Sequence, residues 1–254
     1  MQKKVKIQFL THQMMTKKAI TFLIFIITIN VFSQNTDWQL RFSPSLSYKI
    51  NKKWELDFGY RYSLHKDVSE FKSSNFQFSG KYNITKKMSF EAGYRFTTSY
   101  EIDNHRFFGA FKYDYKLKDF TFSSRTQYQY TTDKFDSEYM SLVKDAREYL
   151  REKISIDYNV PKCKASFNIG AEVFLKFDNP LTYNRIRYIV GTDYKMKHGS
   201  TFGLSLFYED KYNETKTDRF VLNTKYNLSL DELIGKKKKK EKKDKKKNKK
   251  KELD

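Results

Sequence analysis

One cysteine, Cys163, stands in 254 residues, so no disulfide can form within the chain even in an oxidising compartment. Three prolines and nine glycines over this length do not describe a disordered chain. Long apolar runs are missing too. The only one, Ala19–Phe32, falls short of the roughly 20 residues a membrane helix needs. It follows Lys17 and Lys18 and ends at Val31-Phe32-Ser33 before Gln34, the layout of a cleaved export signal over residues 1–33, with Met1, Met14 or Met15 as the start. No cysteine follows that site to carry a lipid anchor. A helical membrane protein is thereby excluded. Catalytic equipment is equally sparse. The mature chain would keep His65, His105 and His198, with no nucleophile motif around the rim candidate Asn104-His105-Arg106. Neither paired metal ligands nor a glycine-rich phosphate loop is present. The sequence therefore points to no catalytic, metal or cofactor site and to a protein that is not an enzyme.

The formal charge of +20 is unevenly held. Residues 236–254 hold 13 lysines against four acids, and the signal adds five more lysines. The body keeps only +6. The terminal run has no aromatic to stack on a base, so nucleic acid is not the expected partner. It reads as a disordered basic tail able to touch anionic lipid headgroups or envelope polymers.

What the chain has in abundance is alternation. From Trp38 to Leu230 apolar and polar residues alternate in blocks of about ten, the length of a tilted membrane strand. In Trp38–Ile50 the even positions are Trp38, Leu40, Phe42, Pro44, Leu46, Tyr48 and Ile50, and the odd ones are polar, Arg41 among them. Trp54–Leu64, Ser74–Ile84, Met88–Thr98, Phe107–Leu117 and Phe120–Tyr130 repeat the pattern. Successive strand side chains point to opposite faces, so each block has one aromatic and one polar face. Short breaks, such as Asn51-Lys52-Lys53 and Lys118-Asp119, interleave with longer ones, such as His65–Ser73 and Thr131–Ala146. Outer-membrane barrels alternate short periplasmic turns with longer external loops in this way.

The predicted fold is an all-β transmembrane antiparallel β-barrel of about 10–12 strands over residues 34–235, in the outer membrane of a Gram-negative bacterium. Eleven runs are visible. Because such barrels usually have even counts, twelve strands are preferred over ten, with a strand hidden or one run outside the wall near Pro44 or Thr131–Ala146. With short turns in the periplasm the last run ends there correctly, but the first begins outside. Glu148 and Glu152 share the lipid parity of Leu150 and Ile154. A bulge near Arg151 turning Glu152 inward, or a hairpin rising above the membrane, would relieve that. Tyr226–Leu230 has the aromatic-apolar character of a closing strand that barrel-assembly machinery takes up.

The polar parity carries Arg61, Arg95, Arg106, Arg125, Arg147, Arg151, Arg185 and Arg187, with Glu91, Glu172 and Glu209 among the acids. Arg61, Glu91, Arg95, Arg125, Arg147, Arg151, Glu172, Arg185 and Arg187 are the expected lumen charge network. One reading is a lumen braced by ion pairs, a structural or envelope role. A second is a narrow anion-selective channel for small acidic solutes, since fixed charge sets selectivity in pores and inward cations outnumber acids. A third is a soluble periplasmic or secreted β-sheet binding protein, because a sheet packed on one side also alternates.

The chain resembles an uncharacterised family of bacterial outer-membrane-barrel-like proteins known only as a domain of unknown function. The likeness rests on Trp38, Gly59-Tyr60-Arg61-Tyr62, Gly93-Tyr94-Arg95, His105-Arg106, Arg125, Arg147 with Arg151, Glu172 and Asn184-Arg185. It spans roughly Trp38–Leu230 and departs near Arg125, where the family shows denser Arg-x-Arg repeats. The resemblance implies the barrel and no activity.

Overall fold

A computed structural model describes residues 36–100, 103–132, 146–178, 180–196, 199–212, 218–231 and 233–235. The expected signal, the basic tail and most of Thr131–Ala146 lie outside the described residues. Eleven strands follow one another: β1 Thr36–Lys49, β2 Trp54–His65, β3 Glu70–Asn83, β4 Met88–Thr98, β5 Asn104–Leu117 and β6 Phe120–Thr132, then β7 Arg147–Asn159, β8 Ala165–Lys176, β9 Thr182–Lys195, β10 Ser200–Lys211 and β11 Asp218–Ser229. Each pairs with its sequence neighbour, and β11 returns to β1 to close the sheet. No described helix is long and apolar enough to cross a membrane; crossing falls to the strands.

The even count expected from bacterial barrels is corrected. All eleven runs stand in the wall, including β1 with Pro44 on its outer face. Ten successive antiparallel steps leave β1 and β11 pointing the same way, so an odd barrel closes through one parallel seam. Side chains stitch that seam on both faces. Inside, Ser43 Oγ donates to Asn223 Oδ1 at 2.8 Å and Asn227 Nδ2 donates to Ser45 Oγ at 3.0 Å. Outside, the Trp38 and Phe220 rings stack at 4.9 Å. At the short-turn end the Asp231 carboxylate accepts from Ser229 Oγ and from the Lys49 N–H. The opposite parity would turn the aromatic lipid-facing surface inward and the arginines outward, so the register is firmly set.

Parity follows the sequence reading. Phe58 and Phe78 face each other across β2 and β3 on the outer surface at 46% and 53% exposure. Arg61 and Arg95 line the interior instead. A soluble sheet packs its apolar face on something; here that face stays exposed on every strand, as lipid requires, and the soluble reading does not fit. Directly opposed residues begun at Lys49 and Glu55 beside a short turn arrive, nine strands on, at Lys211 beside the long loops. That climb is the strand tilt of a barrel.

Two expectations need correction. No bulge occurs at Arg151: β6–β7 and β7–β8 pair without a break through it, and Glu152 faces outward. Its carboxylate is served there by Thr126 Oγ1 at 2.8 Å, and that of Glu148 by the Tyr128 hydroxyl at 2.7 Å. A cross-strand hydroxyl, not a backbone shift, offsets each charge. The interior is also less uniformly polar than alternation suggests. Phe108, Phe174, Ile189, Phe207 and Val221 occupy inward positions and are buried, the last three in mutual contact. Gly93 makes room for Phe108, whose ring lies 2.6 Å from where a Cβ would stand.

Two outcomes test this architecture. In a Cys163→Ser background, Ser45→Cys with Asn227→Cys should oxidise to an intramolecular disulfide, seen as a gel shift reversed by reductant; a further strand between β11 and β1 would keep the thiols apart. Phe78→Lys should lower unfolding stability in lipid by about 2–4 kcal/mol in urea titrations, as a cation facing hydrocarbon does.

Candidate functional site

The barrel encloses a cavity of about 670 Å³ lined by side chains of the inward parity. Its two walls are built differently. On one, cross-strand register opposes Lys153 to Glu172, Glu172 to Arg187, Arg187 to Glu209 and Glu209 to Arg219, so charge alternates along a line of hydrogen-bonded neighbours. Arg151 donates through Nε (3.1 Å) and Nη2 (2.6 Å) to Glu172 Oε1. Arg187 bridges two acids, giving Nη1 to Glu172 Oε2 at 2.8 Å and Nε to Glu209 Oε1 at 2.8 Å. Arg41 reaches Glu209 at 3.9 Å across the seam side. Both glutamate side chains are 3% exposed, so the desolvation of their charge is offset by these guanidinium donors. Beneath them the ring of Phe174 carries the guanidinium carbons of Arg185, Arg151 and Arg187 at 4.0, 4.6 and 5.0 Å. A buried aromatic face among cations takes the place of a third acid. Further towards the short turns, Arg125 meets Glu91 at 3.2 Å and Lys81 meets Glu55 at 3.1 Å.

On the opposite wall, nearer the long loops, the arginines are held by neutral groups. Arg61 Nε donates to Ser43 Oγ at 3.3 Å, Arg106 Nε to Thr131 Oγ1 at 3.0 Å, and Arg95 to Gln77 Oε1 through both Nε and Nη2. Arg95 and Arg106 are direct cross-strand partners. Among the described residues no carboxylate stands within ion-pair distance of Arg61, Arg95, Arg106, Arg185 or Arg219. The Arg185 Nε is buried without a partner. Around the whole cavity 13 lysine and arginine side chains face five acids. No group of three or more metal-ligating side chains gathers among the described residues.

Of the network expected from the sequence, Arg61, Glu91, Arg95, Arg125, Arg151, Glu172, Arg185 and Arg187 all line this cavity. Arg147 does not. It opens β7 beside the long loops and donates to Asn104 Oδ1 at 2.6 Å. Arg106 and Glu209, placed on the inward face but left out of the network, belong to it. Arg41 and Arg219 received no role, although Arg41 sits on the polar parity of its run; their positions beside Glu209 arise from register and seam closure. Phe174 broke the polar pattern, and nothing in the sequence marked it as a platform for three arginines.

Glu172→Gln should test the braced wall. It leaves Arg151 and Arg187 without their shared acid, and removing one partner of a buried pair costs about 3–5 kcal/mol. The expected reading is a lower urea midpoint in lipid or detergent, while Glu55→Gln, nearer the rim, costs less.

No curated protein matches this chain. Solved structures similar to it include "NanC porin structure in rhombohedral crystal form", at 13% identity and TM-score 0.46, covering 68% of this chain and 87% of that one. A "Bacterial polysaccharide outer membrane secretin" matches at 10% identity and TM-score 0.44, over 69% and 64% of the two chains. The "Crystal structure of Acinetobacter baumannii OccAB4" matches at 12% identity and TM-score 0.34, over 67% and 50%. At such scores nothing about this lumen rests on them. The ordered alternation, the inward arginines and a family model that matches residues 62–221 agree: the chain belongs to the family described as Protein of unknown function (DUF2490).

Proposed function

We propose that this outer-membrane barrel sits in the outer membrane of a Gram-negative bacterium and is a narrow, anion-selective conduit for small acidic solutes. One observation carries the reading: 13 cationic side chains face five acidic ones around a single internal cavity. Bracing alone would favour matched numbers of acids and cations. Arg61, Arg95 and Arg106 add to the surplus from one wall, where neutral oxygens hold them, and Arg185 and Arg219 add to it from the other. Fixed positive charge within low-dielectric walls raises the local anion concentration and excludes cations. The ion-paired wall supports a structural, envelope role for that half of the barrel and keeps the lumen in shape for the other.

The short-turn end is the periplasmic side in this reading. β11 ends there, which presents Tyr226 and Leu228 of the last strand to barrel-assembly machinery and releases the lysine run 236–254 towards anionic lipid or envelope polymers. β1 then starts at the outer face, as the parallel seam demands.

Planar-bilayer recording tests the proposal. Reconstituted protein in a KCl gradient should give a steady conductance with a reversal potential on the chloride side. Arg95→Ala should lower both conductance and anion preference. A silent barrel that still shows heat-modifiable migration would leave only the bracing role.

A further inference from the structure

We infer that Arg61, Arg95 and Arg106 form a lumen receptor for a multivalent oxyanion, one bearing two or more negative charges on carboxylate or phosphate groups. This rests on the anion-conduit reading and adds a saturable site to it.

Arg95 and Arg106 are directly opposed on β4 and β5, and like charges directly opposite each other destabilise a sheet. Elsewhere in this barrel the chain sets an acid across from an arginine when it needs one, as Glu172 and Glu209 do for Arg187. Here the directly opposed positions are neutral acceptors: Gln77 across from Arg95, Thr131 across from Arg106, Asn75 across from Arg61. Gln77 and Thr131 accept from Arg95 and Arg106, and Ser43 on the other neighbouring strand accepts from Arg61, so neutral oxygens orient the guanidinium groups without neutralising them. Among the described residues, Arg61 and Arg106 each give only Nε to an acceptor, and Arg95 gives Nε and Nη2 to one amide oxygen. All three side chains line the same cavity. An arginine fork with its outer edge free matches the two oxygens of a carboxylate or phosphate. A monovalent anion would neutralise one of three adjacent charges. A di- or trivalent one answers the cluster as a whole, completing from outside what Glu172 and Glu209 complete from within.

Isothermal titration of the refolded full chain in detergent at low ionic strength tests the site, with citrate, inorganic phosphate and acetate as probes. Citrate or phosphate should bind with a stoichiometry of one, at least tenfold more tightly than acetate at matched ionic strength. Preference between the two identifies the chemical source, and either supports the site. Arg95→Gln and Arg106→Gln should each weaken binding at least tenfold, in protein whose heat-modifiable migration is retained. Lys49→Gln, which removes the same charge at the short-turn end, should change it less than twofold. Equal loss in all three variants, or equal binding of acetate and citrate, overturns the receptor in favour of diffuse lumen charge. No binding alongside intact anion-selective conductance overturns the receptor alone; loss of both overturns the conduit as well.

Discussion

No strand edge can be left in hydrocarbon. An unpaired backbone N–H or carbonyl there costs several kcal/mol, and a sheet avoids that cost only by closing on itself. In this chain the demand is met by eleven strands, and the odd number sets the consequence: the last pair must be parallel. The seam therefore carries Ser43, Ser45, Asn223 and Asn227 on its inner face and the Trp38–Phe220 stack on its outer face. The interior cavity, its charge and the separation of its walls all depend on that closure.

Closure also frees the two faces of the sheet to answer to different solvents. The outer face needs only to be apolar and broad, and tyrosine, phenylalanine and branched aliphatics meet that need on every strand. The inner face has to manage charges that water reaches only through a narrow cavity. It does so in two ways. One wall alternates acid and base along the cross-strand register and seats three arginines on Phe174. The other orients arginines with amides and hydroxyls and pairs them with no described carboxylate. The combination holds a positive cavity open.

Much of this was legible along the chain because lipid constrains every second residue and tolerates little else. Phe58, Phe78, Arg61 and Arg95 could be assigned to faces from parity alone, and the short and long breaks set the ends of the barrel. Glu152 shows where parity reasoning overreached. An outward carboxylate looked like evidence for a bulge, whereas Thr126 on the neighbouring strand satisfies it in an unbroken ladder. Phe174, Ile189, Phe207 and Val221 show the other limit: a narrow lumen accepts apolar side chains wherever they pack on one another or under guanidinium groups.

The sequence by itself determined the strands, their two faces and the surplus of inward cations, because each is a property of residues a fixed distance apart along one chain. Pairing across the barrel was decided only by tertiary structure. Arg187 between Glu172 and Glu209, Arg41 beside Glu209, and Arg95 opposite Arg106 are contacts between strands. Hairpin register, strand tilt and a parallel seam choose which charges meet, and no periodicity along the chain encodes the sum of those offsets. The physical reason is that alternation has a period of two whatever the register, so it fixes which face a charge occupies and leaves its partner to the closure of the sheet.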